Sequence, residues 1–392
     1  MSAIGTVFRK EILDNVRDRR TLFSALVFGP LFGPALFAVL VSVMLEQTLA
    51  QLDEGLELPV TGSEHAPNLM AFLQRYDITP QPGPADLATA RQQVRDGDED
   101  VVLWIEADYG EALASGEPAR LTLVYDQSNN RAGQSVGRVK RLLSGYGNRM
   151  GALRLQVRGL SPWLIRPITI DELDVSTPTG RSVLLLGMLT YFLLFAMLMG
   201  GLYLAIDTTA GERERGSLEP LLTLPVARGE LLLGKLSATI FYMLLSLFLT
   251  LAAFTIALRF VPLERLGMSA NFGADVALVA FFILAPFSLL GAALMTVVAS
   301  FTKSYKEAQT YLTVVLLVPT LPIVFAAVAG IKPSLGLMWI PSLSQHLLIT
   351  DLLKAEPVNL FHAALSAGST LAIGALLAAV AVRLYSRQGL LS

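Results

Sequence analysis

The chain has no cysteine, three histidines and few charged residues for its 392 positions. Without cysteine no disulfide can form, so an extracytoplasmic domain is allowed but not implied. His65, His346 and His362 are scattered, with no spacing that would gather them on a metal, so no metal site is expected. Ionisable residues are almost missing from the long apolar runs, and Asp207, Arg259, Asp275 and Arg383 fall at their ends. Ion pumps and proton relays use carboxylates inside the membrane, so this scarcity argues against a self-contained cation carrier. The net charge of -2 gives no reason to expect nucleic acid as a partner. A phosphate-binding loop is also lacking. Gly229 to Lys235 has GxxxxGK spacing, but Leu231, Leu232 and Leu233 favour helix, Pro225 stands where a strand should precede, and Leu236 replaces the magnesium-binding Ser or Thr. ATP hydrolysis by this chain is therefore not expected, and no cofactor is assigned to it.

What the chain has in abundance is apolar length. Mean hydropathy is +0.56, and several runs reach the roughly 20 residues needed to cross a bilayer as helix. The expected fold is a polytopic α-helical membrane protein with six spans, near 22–45, 182–206, 231–258, 275–301, 310–330 and 361–384. The first span, with its GPLFGP stretch, should be kinked by Pro30 and Pro34, and Gly29 and Gly33 suit close helix packing. Pro319 and Pro322 should make the fifth irregular. Residues 1–21 read as a cytoplasmic amphipathic helix with Ile4, Phe8, Ile12 and Val16 on one face, either a basic flank or a helix lying along the leaflet. No small-residue cleavage site follows the first span, which points to a retained helix rather than a signal peptide.

Residues 46–180 differ in kind: polar, mixed, and long enough for a domain. Helices are expected over 84–95, 109–114 and 135–157 and strands over 100–105 and 120–125, an α/β domain inserted between spans one and two. Residues 181–392 hold the other five spans. Residues 334–353, too apolar for a free loop and too broken for a span, read as an outer re-entrant or interfacial helical pair. Basic residues of the N-terminal segment, the 207–229 loop, the 302–309 loop and the tail fall on one side. That side should be the cytoplasm, with both termini there and residues 46–180 outside. Among span hydroxyls, Thr190, Tyr191, Tyr242, Ser246, Ser288 and Thr296 suit helix–helix hydrogen bonding first and a translocation path second.

The polar stretch DTTAGERERGSLEPLLTLPVARGELLLGK, residues 207–235, lies between two spans. Glu212, Arg213, Glu214 and Arg215 form a run of alternating charge, a hook ahead of a short helix. Ser217 can cap that helix, Pro220 suits its first turn, Leu218, Leu221, Leu222 and Leu224 give it an apolar face, and Pro225 ends it. Such an element suits contact with another protein.

The stretch GERERGSLEPLLTLPVARGELLLGK resembles the signature of ABC-2 type exporter permeases of the NatB-like kind. The matching residues are Glu212, Arg215, Gly216, Ser217, Leu218, Glu219, Leu221, Leu222, Pro225, Gly234 and Lys235. The N-terminal RKEILDNVRDRRTLF and the late IPSLSQHLLITDLL are similar to that family too, as is the layout of one span, a large insert and five spans. Pro220 departs from it, since a less rigid residue is commoner there. The resemblance implies a permease subunit of the bacterial inner membrane that pairs with a second permease, a homodimer in the simplest case, and with separate ATPase subunits that bind ATP and Mg. It implies that residues 211–225 are the coupling helix, with Glu212, Arg213, Glu214, Arg215, Gly216, Ser217, Leu218, Glu219, Leu221 and Leu222 as contact residues. The family name suggests sodium as cargo, whereas spans short of carboxylates suit an apolar or amphipathic one. The rivals are a membrane-anchored sensor or scaffold with a ligand-binding insert, and an ATP-independent channel. Kinked spans count against the first, the docking element against the second.

Overall fold

The computed structural model describes residues 2–386 apart from 54, 130–131, 166–167, 169–170, 172, 175, 218–219, 222 and 224. The chain divides into two compact units, one of Met1–Leu45 with Val175–Ser392, the other of Glu46–Asp174.

In the first unit, apolar runs become helices because a backbone in hydrocarbon must satisfy its own hydrogen bonds. Among the described residues, five helices are long and apolar enough to span a bilayer: Ser24–Val43, Leu189–Glu214, Arg228–Ala257, Tyr305–Ala326 and Leu360–Tyr385. A further pair, Ala274–Leu284 and Phe287–Ser300, bent by 45°, is apolar enough together to be a broken span or a re-entrant loop, and taken as one span it brings the count to six. They are numbered here in chain order, the broken pair being the fourth. Its bend falls at Pro286, which has no N–H to give the preceding turn. That break was not foreseen from the sequence. The fifth span is interrupted between Tyr305–Val315 and Thr320–Ala329, where Pro319 opens the second piece. The first span starts as a π-helical turn, Ser24–Phe28, and Pro34 sits inside the helix that follows.

Glycines let these helices approach. A Cβ on Gly33 would lie 3.2 Å from Phe192, so the Gly29 and Gly33 pair packs the first span on the second. A Cβ on Gly200 would overlap Ser246, and one on Gly201 would reach Met243 and Thr239 of the third span. Gly291 of the fourth faces Leu198 and Met243, and Gly374 of the sixth meets the backbone of Leu290. Small residues at such crossings are how helices gain van der Waals contact where lipid leaves no hydrophobic drive.

The N-terminal helix α1, Ala3–Arg17, is capped by Ser2. Its apolar face is not laid on lipid alone: Phe8 and Ile12 pack with Leu204, Ala238 and Tyr242 of the second and third spans.

The second unit carries a four-stranded sheet in the order β2-β1-β3-β4, with β1 Leu56–Thr61, β2 Ile78–Pro82, β3 Val101–Ile105 and β4 Leu121–Tyr125. β1 runs parallel to β2 and β3, and β4 is antiparallel to β3. Helices α2 Pro67–Gln74, α3 Leu87–Asp96, α4 Tyr109–Ser115 and α5 Ala132–Val157 accompany it. Leu58, Val60, Leu69, Leu73, Ile78, Leu103 and Val139 form its core. β1, β2 and α2 were not expected, because Pro59, Pro80 and Pro82 disguise the strands. β2 is an edge strand, where proline is tolerated, and β1 pairs with β3 only from Val60 onwards, past Pro59.

Late in the first unit, a 3-10 turn Leu335–Trp339 leads to α6, Leu343–Leu353. From Leu343 to Ile349 every residue of α6 is buried. Two of its polar members, Ser344 and Gln345, are satisfied sideways, whereas buried His346 Nδ1 has no partner among the described residues. Gln345 Nε2 donates to Thr370 Oγ1 at 2.8 Å, and Ser366 Oγ donates to Ser344 Oγ at 2.7 Å, which fastens α6 to the sixth span.

Candidate functional site

The second span does not stop at Ile206. It continues through a π-helical turn, Asp207–Gly211, into Glu212–Glu214. The hook is therefore the last turn of a span rather than a loop, and the wider π turn rotates its side chains inward. Thr208 and Thr209 return their hydroxyl hydrogens to the carbonyls of Leu204 and Ala205.

Glu212 is only 4% exposed and pairs with Lys235 of the third span, itself 2% exposed. Lys235 Nζ also donates to the Thr208 carbonyl at 2.9 Å and to Tyr385 Oη of the sixth span at 3.4 Å. Lys10 of α1 reaches the other Glu212 oxygen at 3.7 Å and Glu11 at 3.0 Å, and Glu11 is buried as well. Two carboxylates and the Lys235 ammonium thus share one poorly hydrated site, with the half-exposed Lys10 at its edge and three hydrogens on each ammonium to spread among them. Lys235, set aside above as part of a false phosphate loop, is the centre of this cluster.

The neighbouring hook residues turn elsewhere. Arg213 donates to the carbonyls of Thr302 at 2.9 Å and Ser300 at 3.1 Å, which are free because the fourth span ends there. Glu214 accepts the backbone N–H of Tyr305 at 2.6 Å, at the start of the fifth span. A cation at a helix C-terminus and an anion at an N-terminus each match the helix dipole, so one dipeptide caps both arms of a helical hairpin. Ser304 and Glu307 complete the second cap. Arg215 pairs with Asp207 at 2.8 Å.

Gly216 then takes a left-handed φ of 67°. Its N–H donates to the Arg213 carbonyl, and that of Ser217 to the Glu212 carbonyl, the pattern of a Schellman stop. This gives the glycine its reason and sends the chain away from the hub. The Ser217 hydroxyl, expected to cap the next helix, donates instead to the Glu212 carbonyl at 3.2 Å. Gly216, Ser217, Pro220, Thr223 and Pro225 are exposed and Leu221 is half-buried. Leu218, Glu219, Leu222 and Leu224 lie outside the described residues.

Of the expected hook contacts, Glu212 is enclosed, and Arg213, Glu214 and Arg215 each have a partner inside the chain while Glu214 and Arg215 stay exposed. Four of the six hydroxyls assigned second to a path have internal partners, whereas the buried Thr190 hydroxyl has none among the described residues. Ser246 Oγ donates to the Ala196 carbonyl across the second and third spans, and Tyr242 Oη to the Ile12 carbonyl of α1. Ser288 and Thr296 bond within their own span, to Ala285 and Ala292. Thr190 is buried, and Tyr191 stacks on Phe195 with centroids 6.0 Å apart. Helix packing accounts for these bonds.

Sequence reasoning missed Lys10, Glu11 and Tyr385. A lone lysine bracketed by leucines, as Lys235 is, was the available signal that a charge is buried and paired. Gly234 beside it admits α1: a Cβ there would stand 2.7 Å from Val7 and 3.0 Å from the Ile4 carbonyl.

Helices of span length agree with the comparison to known families: residues 19–383 match the ABC-2 family transporter protein model. The chain belongs to the ABC-2 transporter family. It is 25% identical over 383 residues, covering 94% of both chains, to the ABC transporter permease protein NatB of Bacillus subtilis (strain 168). This ABC-2 chain is thus a polytopic membrane permease component of an ABC transporter. Among the described residues no group of His, Asp and Glu could hold a metal ion.

Burial raises the Glu11 carboxyl above its usual range, Lys235 and Lys10 oppose the shift, and Glu212 adds to it. The folded state then holds its proton to higher pH than the unfolded state does. Stability should fall as pH rises from the unfolded value of 4.5 through the folded value. Glu11→Gln should flatten that slope in thermal unfolding of the detergent-solubilised chain, and an unchanged slope would assign it to other groups.

Proposed function

We propose that this permease is the membrane half of an exporter in which two copies pair and two separate ATPase subunits, carrying ATP and Mg, drive them from the cytoplasm. Residues 211–225 are the coupling element, and the segment beyond Gly216, with Leu218, Glu219, Leu221 and Leu222, is its contact face. The observation that carries this reading is the hub. The four charges from Glu212 to Arg215 tie the base of the projecting segment to α1 and to the second, third, fourth and fifth spans, with Tyr385 of the sixth joined through Lys235. A push on that segment has rigid, hydrogen-bonded routes into the bundle, whereas a solvated loop would absorb it. The hook is in this reading the transmitter, and the exposed stretch after Gly216 the receiver.

The basic residues around the hub favour the cytoplasmic side for it and for both termini, with six spans in the inner membrane and residues 46–180 outside. Spans without buried carboxylates beyond the hub support an apolar or amphipathic cargo over a bare cation. The test is a pull-down of the tagged chain from its native membrane in mild detergent. A stoichiometric ATPase should accompany it and be lost on Leu222→Asp, which should also abolish cargo-stimulated ATP turnover while leaving membrane insertion intact. A chain that comes down clean, or a Leu222→Asp variant with normal coupled turnover, overturns the reading.

A further inference from the structure

The sheet of the second unit has two edges, β2 and β4, and they are built differently. Pro80 and Pro82 of β2 have no N–H to offer, which blunts that edge. The sequence of β4 is Leu-Thr-Leu-Val-Tyr, with no proline, glycine or charge and with a strong preference for strand. Its inner side pairs with β3 along its whole length, from Ile105 opposite Leu121 to Val101 opposite Tyr125. Among the described residues, only β3 makes hydrogen bonds to the β4 backbone. In an antiparallel pair every second residue turns its N–H and C=O away from the partner, so β4 presents an unpaired row on its outer side. Such a row is a template for a further strand.

The side chains of β4 are already used within the unit. Leu121, Leu123 and Tyr125 pack on the main core, and Val124 packs with Ala90, Val94 and Val102 on the other face. What remains for a partner is the backbone edge and the two charges that flank it. Arg120 precedes the strand, is exposed, and has no partner among the described residues. Asp126 follows it, and its Oδ1 takes both hydrogen bonds from Ser128. These two residues are placed symmetrically about Leu123. A second copy of β4 laid antiparallel along the first, with the two-fold axis at Leu123, sets Arg120 of each copy opposite Asp126 of the other. The same register sets Leu121 opposite Tyr125 and Thr122 opposite Val124, cross-strand pairs of apolar and β-branched side chains. A slip of two residues sets Arg120 against Val124 instead and loses both charge pairs. The edge is thus complementary to itself in charge and in side chains, the property that a two-fold interface needs.

We propose that β4 is the surface through which the sheet-bearing units of two copies join, edge to edge and antiparallel about Leu123, into one continuous sheet. This rests on the pairing of two copies proposed above and names where the second units meet. The occupant of the edge is a second copy of this chain, not a strand of another protein.

The absence of cysteine makes the test direct. Full-length Arg120→Cys and Asp126→Cys chains, each with its own tag, are co-expressed and oxidised in the membrane with copper phenanthroline. Facing residues of antiparallel strands have Cα atoms about 4.5–5.5 Å apart, within disulfide reach. Six residues along a strand span about 20 Å, so position 120 cannot reach position 120 of the other copy, nor 126 reach 126. The mixed dimer band should therefore be several-fold stronger than the band from either variant alone. Equal bands, or no mixed band from chains that still co-purify through both tags, overturn the β4 pairing and leave the two-copy assembly standing. Chains that do not co-purify overturn both. A disulfide from either cysteine to another polypeptide overturns the second copy as occupant. Asp126→Cys removes the carboxylate that holds Ser128, so a second probe spares that turn. Arg120→Cys alone, labelled with a nitroxide, should give an electron–electron distance distribution centred near the 20 Å separation plus the reach of the labels. A centre at twice that separation or more overturns the proposal.

Discussion

Lys235→Met should destabilise the solubilised chain by about 3–5 kcal/mol, the usual consequence of stranding a buried charge. The substitution keeps much of the side-chain volume and removes the ammonium that Glu212, Thr208 and Tyr385 share. Glu212 would then be enclosed beside Glu11, with only the half-exposed Lys10 to offset two carboxylates. The pair itself is not the source of that energy, because its attraction is largely spent on desolvating two ions. A second change, Glu212→Leu, should therefore return most of the lost stability, and a double-mutant cycle in denaturant would show it. If Lys235→Met proves neutral, the cluster is hydrated and the buried-pair account is wrong. The double variant has a further use. If the hook transmits the push as proposed, the double variant should fold and still fail to couple ATP turnover to cargo, because the hook loses its tie to α1 and the third span.

Gly200→Ala should cost about 1–3 kcal/mol by overpacking, although it adds a single methyl group. The new Cβ would overlap Ser246 Cβ and lie 3.0 Å from the Tyr242 carbonyl, so backbone as well as side chain stands in its way. The second and third spans would have to separate at their closest crossing, with loss of the Ser246 to Ala196 hydrogen bond. Ser246→Gly in the same chain removes the opposing Cβ and should recover part of the loss. Gly145→Ala, at a helix position where a Cβ would meet nothing within 4 Å, should be neutral or slightly stabilising in the same assay. Equal effects at both positions would mean that helix propensity, not contact, governs the result.

Both predictions fall on residues whose surroundings the sequence hides. Gly200 lies in LMGGLY, and only the crossing with Ser246 separates it from a tolerant position. Gly216, by contrast, was legible in principle: a glycine after a charged helical turn and before Ser-Leu-Glu-Pro is a stop signal, and the Schellman geometry gives the mechanism. Most apolar runs could be placed because hydropathy is a local property, additive along a window. The break at Pro286 was missed because the run around it is uniformly apolar and proline in a span need not bend it. In the second unit, α3 to α5, β3 and β4 followed from periodicity, while β1 and β2 carry prolines that only their edge position and pairing register excuse. The alternating run Glu212 to Arg215 was read as a hook ahead of a docking helix, since nothing local says which charge faces inward.

The sequence by itself determined that this chain is a helical membrane protein, that a polar unit interrupts it after the first span, and that the segment near residue 216 is its distinctive polar element. Those properties depend on transfer free energies and turn chemistry that act over a few residues. Tertiary structure alone decided the partners: Lys235 for Glu212, two carbonyls of the fourth span for Arg213, the N-terminus of the fifth for Glu214, and the bundle rather than lipid alone for the apolar face of α1. A charge has no partner written beside it. Its partner is whichever opposite group or unsatisfied helix end the packing brings within about 3 Å, and in a weakly hydrated interior every such end must be met.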